Sequence, residues 1–188
     1  MIEELRPGLK RWLSSHPEWK PEEDELDVSY RPVASILYRG PDALVFIDPL
    51  VPDELWPALD AEVTDNEAPV VVLTTIKFHV RSRDEVARRY GAKIGESPAG
   101  IRSFPAARRD EVALWLEQPR AVVFGDAVIG DQRGGVVLSP WYTSDEQREG
   151  TRVALLPLLD LPVELVLPAH GNAVLENGGE ALARALET

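Results

Sequence analysis

The chain has 188 residues, of which 44% are hydrophobic, and a formal net charge of −12. This length suits one domain with one sizeable core, and we predict a single domain over residues 1–188. Because an acidic surface repels phosphate backbones, the charge argues against a nucleic-acid partner and favours a small-molecule substrate or ligand. The chain contains no cysteine, which excludes disulfides, thiol catalysis and thiolate metal sites.

Neither a membrane segment nor a signal peptide is indicated by the sequence. No stretch approaches the run of about 20 apolar residues that a membrane helix needs. The first six residues, Met1–Arg6, are acidic and lack the basic and apolar regions of a signal peptide. We therefore expect a cytoplasmic protein with no membrane partner.

The first third of the chain predicts an N-terminal extension followed by a hairpin. Residues 1–30 are expected to form a short helix near Glu3–Ser14 and an acidic loop. The apolar, β-rich runs Val33–Tyr38 and Ala43–Ile47 flank a Gly-Pro-Asp turn and predict two antiparallel strands. A helical pattern begins at Asp53.

The remainder alternates between strands and helices. Pro69–Thr74 is a continuous apolar run, typical of a strand buried on both faces of a sheet. Ser82 and Glu85 predict a capping box at the start of a helix that ends at Gly91. The later predicted elements are the strands Glu111–Leu116 and Ala121–Phe124, the helix Asp145–Leu159, the strand Glu164–Leu167 and the helix Glu180–Leu186. Pro157 should end or distort the first of these helices. Hairpins combined with alternating strands and helices predict a layered α/β sandwich.

Four of the predicted strands lead into a loop that carries an Asp or a His. These residues are Asp48, His79, Asp126 and His170. Functional side chains concentrate in such strand-end loops. Two imidazoles and a carboxylate can bind zinc, or iron in a facial triad, with positions left open for water or substrate. His79, Asp126 and His170 are therefore candidate ligands of one zinc, iron or manganese ion, and a site without metal remains an alternative.

Three motifs in this order resemble the metallo-β-lactamase superfamily. They are the strand Leu44–Ile47 followed by Asp48-Pro49, the Gly-Asp strand Val122–Ala127, and the Pro-x-His-Gly turn of Leu165–Gly171. The resemblance implies a four-layer αββα sandwich. It also implies that Asp126, at the position of the family's metal-bridging Asp, and His170 are metal ligands.

The family's main signature, His-x-His-x-Asp-His, is degenerate in this chain. If the alignment is anchored on Thr74, Thr75 and Lys77 occupy the two His positions and His79 occupies the Asp position. If it is shifted by two residues, His79 becomes the second His and Arg81 takes the Asp position. In either register one nitrogen ligand remains, so the resemblance implies a site with at most one metal ion.

Two interpretations of this site stay open. In the first, the chain is a hydrolase for a small ester, thioester or amide. His79 and Asp126 would be catalytic, Asp48 would support the ligands, and Thr75, Lys77 and Arg81 would adjoin them or the substrate. In the second, the same fold is a metal-free binding or scaffold module, for which a homodimer is one expected form. Lys77 or Arg81 would then pair with Asp126 in place of a metal.

A third interpretation comes from a different enzyme class. Gly125–Asp131 also fits the Gly-Asp-x4-Asp motif of haloacid-dehalogenase-like phosphatases, which hold magnesium with carboxylates. Their nucleophile motif requires Asp-x-Asp, and the second Asp is absent from Asp48-Pro49-Leu50. This interpretation is the weakest of the three.

Overall fold

The computed structural model describes residues 1–16, 32–107, 110–131 and 133–187. The strands in this part of the chain are β1 Ile2–Arg6, β2 Leu9–Ser15, β3 Pro32–Arg39, β4 Leu44–Ile47, β5 Val70–Leu73, β6 Lys93–Ile94, β7 Ile101–Pro105, β8 Val112–Leu116, β9 Ala121–Phe124, β10 Val128–Gly130, β11 Val136–Leu138 and β12 Leu165–Pro168. The helices are α1 Trp56–Thr64, α2 Arg83–Tyr90, α3 Asp145–Leu155 and α4 Gly178–Glu187, with 3-10 turns at Asp53–Leu55, Lys77–His79 and Leu156–Asp160. None of the described helices has the length and apolar character needed to cross a membrane.

The described strands form two main sheets and a small hairpin. The first sheet has the order β1-β2-β3-β4-β5-β6, with β4, β5 and β6 parallel and the other neighbours antiparallel. The second has the order β12-β9-β8-β7, in which β12 and β9 are parallel. β10 and β11 pair with each other. The bond from the Ala34 amide to the Ala169 carbonyl, 2.8 Å, joins the two main sheets.

Strands β4 and β5 of the first sheet are buried on both faces, because their side chains alternate between two apolar clusters. Phe46 and Val72 pack with α1 and α2 in one apolar cluster. Their neighbours Val45 and Val71 belong to a second cluster, shared with the four-stranded sheet. This pattern explains the continuous apolar runs of β4 and β5, which an alternating half-buried strand would not show.

The second sheet has the same construction. Leu114 and Val123 face the first sheet, whereas Trp115 and Val122 pack with α3 and α4 in a third cluster. Three apolar clusters therefore lie between four layers of secondary structure, which are α1 and α2, the first sheet, the second sheet, and α3 and α4. The predicted four-layer αββα sandwich is confirmed.

The predicted N-terminal helix is wrong. Residues 2–15 form the β1–β2 hairpin, which turns at Pro7-Gly8, where Gly8 has a φ of 76°. Leu5, Leu9 and Trp12 are buried and stand at i, i+4 and i+7, which imitates the apolar stripe of a helix. The spacing arises because a turn of two residues separates two strands. The predicted acidic loop lies outside the described residues.

Three local predictions had different outcomes. Gly91 ends α2 in the left-handed conformation, with a φ of 64°, as predicted. Pro157 follows α3, which stops at Leu155 and continues as a 3-10 turn, also as predicted. The capping box is wrong, because the Ser82 hydroxyl accepts a hydrogen bond from the Val51 amide instead of capping α2. Strands β6, β7, β10 and β11 were not predicted.

Candidate metal centre

Three strand-end loops bring His79, Asp126 and His170 together. His79 lies in the 3-10 turn after β5, Asp126 follows β9, and His170 follows β12. β9 and β12 are parallel neighbours, so their carboxyl ends lie at the same edge of the second sheet. The bridge between Val33 and His170 places this edge against the first sheet, which carries His79. The group therefore spans both sheets.

The geometry of the three side chains fits one metal ion. The Asp126 Oδ1 atom lies 3.2 Å from His79 Nε2 and 3.4 Å from His170 Nε2, and all three ligand atoms lie within 4.8 Å of one another. Two ligands of a tetrahedral zinc ion, each about 2.05 Å from the metal, are about 3.3 Å apart. Among the described residues this is the one group of three or more His, Asp or Glu side chains with such spacing.

Asp48 lies behind His79 and fixes its ring. The Asp48 Oδ2 atom is 2.8 Å from His79 Nδ1, and Oδ1 accepts the Thr75 amide at 2.7 Å. The Thr75 hydroxyl also donates to Asp48 Oδ2. Asp48 is 2% exposed. A carboxylate on the far nitrogen of a ligand histidine sets its tautomer and leaves Nε2 directed at the metal.

Proteins of known structure share this architecture. A metallo-β-lactamase from Pontibacter korlensis is 15% identical, covering 100% of this chain and 97% of its own, with a TM-score of 0.63. A metallo-β-lactamase from Erythrobacter litoralis is 14% identical, covering 99% and 90%, with a TM-score of 0.62. The DIM-1 metallo-β-lactamase is also 14% identical, covering 98% and 97%, with a TM-score of 0.60.

This chain has the metallo-β-lactamase fold. The similarity to these structures, at 14–15% identity, shows the fold alone. No protein-family model and no curated protein matches the sequence.

Within this fold, protonation of His79 offsets part of the negative charge at the centre without a metal. Burial alone would lower the pKa of His79, but the carboxylates of Asp48 and Asp126 outweigh it and raise that pKa to about 9. Burial would raise the pKa of Asp126, yet hydrogen bonds from His170 and His79 hold it far below its usual range. Burial lowers the pKa of His170. At neutral pH the metal-free site therefore holds a His79 imidazolium between two carboxylates, beside a neutral His170.

Of the two cations predicted near the site, Arg81 is the one that the structure brings to it. Its Nη1 atom donates to the Asp48 carbonyl at 3.2 Å, and its guanidinium interacts electrostatically with the Asp48 and Asp126 carboxylates. Arg81 adopts a φ of 41°, which is uncommon for a residue with a side chain. Lys77 is exposed, with its ammonium 5.4 Å from the centre of the Phe78 ring.

Two buried residues that support the site were not predicted. Glu111 Oε1 accepts the amides of Asp126 and Ala127, each at 2.7 Å, and so holds the loop that presents Asp126. The Ser35 hydroxyl donates to the Asp48 carbonyl at 3.0 Å. The sequence offers one indication of a role for Glu111, which is a carboxylate at the start of an otherwise apolar predicted strand.

The loop between β9 and β10 is closely packed at Gly125. A Cβ atom at this position would lie 2.6 Å from Thr75 Oγ1 and 3.0 Å from Glu111 Oε1. Glycine is therefore required for the Asp126 loop to approach the Asp48–Thr75 pair this closely.

His170 is enclosed by aromatic rings. The Trp141 ring stands edge-on to it, with centroids 5.1 Å apart, and the His16 ring lies at 6.3 Å. The His170 Nδ1 atom is buried and has no hydrogen-bond partner among the described residues. The two histidines of this group therefore differ, because among the described residues only His79 has a carboxylate on its far nitrogen.

The haloacid-dehalogenase-like interpretation loses its support. Asp131 Oδ1 accepts the amides of Arg133 and Gly135 at 2.8 and 2.6 Å, so this carboxylate closes the turn between β10 and β11. The metallo-β-lactamase fold accounts for the Gly-Asp strand without that motif.

Proposed function

We propose that the chain is a metal-dependent hydrolase with a mononuclear site, in which His79, Asp126 and His170 hold one zinc, iron or manganese ion. The observation that carries the proposal is the 3.2 and 3.4 Å spacing of the two Nε2 atoms from Asp126 Oδ1. Three protein ligands leave coordination positions open for water and substrate. The similar structures are metallo-β-lactamases, which supports a metal-dependent activity on this fold.

Different side chains have different roles in such a site. When bound, the ion supplies a Lewis acid that polarises a carbonyl oxygen and lowers the pKa of water. Asp48 holds the Nδ1 proton of His79, and Glu111 holds the main chain of Asp126, so both ligands are positioned before substrate arrives. Asp126 is 14% exposed, against 5% for His79 and 6% for His170, which favours approach of the substrate from the Asp126 side.

The proposed substrate is a small ester, thioester or amide. All three carry a carbonyl that a Lewis acid can polarise. The net charge of −12 argues against polyanionic substrates such as nucleic acids. A cytoplasmic location accords with this proposal.

Metal content tests the proposal directly. Untagged protein, His170→Ala and His16→Ala would be analysed by elemental mass spectrometry. His16→Ala is the matched control, because His16 contacts the ring of His170 without belonging to the three-ligand group. We expect about one equivalent of metal in the wild type and the control, and its loss in His170→Ala. Ester and thioester hydrolysis by the loaded protein would then be measured.

A metal-free binding module is the second candidate function. It is favoured by the pKa of about 9 for His79, since the His79 imidazolium and the Arg81 guanidinium together offset the charges of Asp48 and Asp126 without an ion. Absence of metal after reconstitution would support this candidate and overturn the hydrolase. A homodimer, which this candidate allows, would be detected by analytical ultracentrifugation.

A further inference from the structure

The loop that follows β11 packs on His170. Trp141 lies in this loop, and its ring stands at 85° to the His170 ring, with the two centroids 5.1 Å apart. An edge-to-face arrangement of this kind is a favourable contact between aromatic rings. Trp141 is partly buried, and His170 is 5% exposed. The indole therefore covers one side of a candidate metal ligand.

The main chain of His170 is fixed, but its ring lacks the support that His79 has. The His170 carbonyl accepts the Gly130 amide at 2.9 Å. The His170 Nδ1 atom has no hydrogen-bond partner among the described residues, whereas Asp48 lies on the corresponding nitrogen of His79. The χ2 torsion of a histidine ring has broad minima, so contacts have to fix it. A half-turn of the His170 ring would direct a carbon atom instead of Nε2 at Asp126.

The loop that carries Trp141 is anchored on the residue after Asp126. The Ala127 carbonyl accepts the Ser139 amide at 3.0 Å and the Tyr142 hydroxyl at 2.8 Å. Within the loop, the Ser139 hydroxyl accepts the Trp141 amide at 3.1 Å, and Ser139 is 1% exposed. These hydrogen bonds lie on both sides of Trp141 in the chain, so they hold the indole in a fixed position relative to the loop that presents Asp126.

We propose that Trp141 is the positioning residue of His170, and that it holds the ring by packing where Asp48 holds His79 by a hydrogen bond. The loop also links two candidate ligands, because the main chain of Ala127 that anchors Trp141 directly follows Asp126. Partners that orient a ligand histidine commonly contribute about 10–100-fold to metal affinity. The effect on metal binding rests on the proposed function, whereas the orientation of the His170 ring can be measured without a metal.

NMR of the histidine side chains in the metal-free full chain tests the orientation of the ring. In the wild type, the His170 Nε2 proton faces Asp126 Oδ1 at 3.4 Å and is buried, so it should give a resolved, slowly exchanging signal. Trp141→Leu keeps an apolar side chain but removes the ring, and this signal should be lost as the imidazole samples other torsions. Trp141→Phe retains an aromatic ring and should restore the signal.

The affinity for Co²⁺, measured by competition with a chelator, tests the consequence for the metal site. We expect Trp141→Leu to bind Co²⁺ at least about tenfold more weakly than the wild type, and Trp141→Phe to lose less than about threefold. Trp56→Leu is the matched control, because the same substitution is made at a tryptophan that packs against Tyr90 in the cluster with α1 and α2. It should lower the midpoint of urea denaturation and leave the Co²⁺ affinity unchanged.

The proposal is overturned if Trp141→Leu keeps the His170 Nε2 signal, or if Trp141→Phe fails to restore it. Where the wild type holds Co²⁺, the proposal is also overturned if Trp141→Leu binds the ion as tightly, or if Trp56→Leu loses as much affinity as Trp141→Leu. A wild type that binds no Co²⁺ would refute the proposed function alone. In that case, loss of the signal in Trp141→Leu and its return in Trp141→Phe would still support the positioning role.

Discussion

Raising the pH of the metal-stripped protein from 6.5 to above 9 should destabilise it through His79. The folded-state pKa of about 9 exceeds the ordinary value of 6.5 because the Asp48 and Asp126 carboxylates outweigh the effect of burial. The stabilisation is fully present below pH 6.5 and is lost as the pH rises through about 9. At about 1.36 kcal/mol per tenfold change in proton affinity, the difference amounts to about 3 kcal/mol. His79 has a side chain only 5% exposed, so solvent screening reduces this value little.

Urea denaturation at several pH values measures this loss. His79→Gln removes the titrating group, and His16→Gln is the matched control that should retain the full pH dependence. The low pKa values of His170 and Asp126 affect stability only below about pH 6.5 and pH 4, respectively, outside this window. The reasoning is refuted if wild type and His79→Gln lose stability in parallel between pH 6.5 and 9.

Three further predictions concern packing, support and metal uptake. Gly125→Ala should lower the free energy of unfolding by about 1–3 kcal/mol, because its Cβ would meet Thr75 Oγ1. Gly150→Ala, at an open position of α3, should raise the free energy of unfolding by about 0.5–1 kcal/mol. Equal denaturation midpoints for the two variants would contradict this reasoning. Glu111→Ala should lower the free energy of unfolding by roughly 2–6 kcal/mol and should lower metal content, because it leaves the buried Ala127 amide and the part-buried Asp126 amide unpaired. Glu111→Gln keeps an acceptor oxygen and should lose less stability, so identical losses would be inconsistent with the pairing. Zinc binding at pH 7 should release about one proton, because the ion displaces the proton of His79. Calorimetry in buffers of different ionisation enthalpy would count the released protons. A release near zero would argue against His79 as a ligand.

The sequence predicts those parts of the fold that local patterns determine. β4, β5, β9 and β12 are continuous apolar runs, which identify strands buried on both faces. The polar residues in the loops that follow were predicted as one site because functional side chains concentrate in strand-end loops. The structure brings His79, Asp126 and His170 together, and their role as metal ligands stays a prediction.

The rest of the site depends on contacts between residues far apart in the chain. Asp48 and Ser35 meet because β3 and β4 are antiparallel, and Glu111 reaches Asp126 across 15 residues. Nothing in the local sequence distinguishes Ser35 from a surface serine. The orientation of Arg81 depends on a left-handed backbone that is unusual for arginine. Such features follow from tertiary packing, which a pattern of residue types does not contain.

The distribution of His79, Asp126 and His170 over the two sheets also sets the order in which the candidate site can be assembled during synthesis. Asp48, Thr75 and His79 belong to the portion of the chain that leaves the ribosome first, and their mutual hydrogen bonds need no later residue. Asp126 arrives about 50 residues later, and His170 only after β12. Under the proposed function, capture of an ion by all three residues therefore requires translation beyond β12, and a nascent chain halted before β12 lacks the third of them.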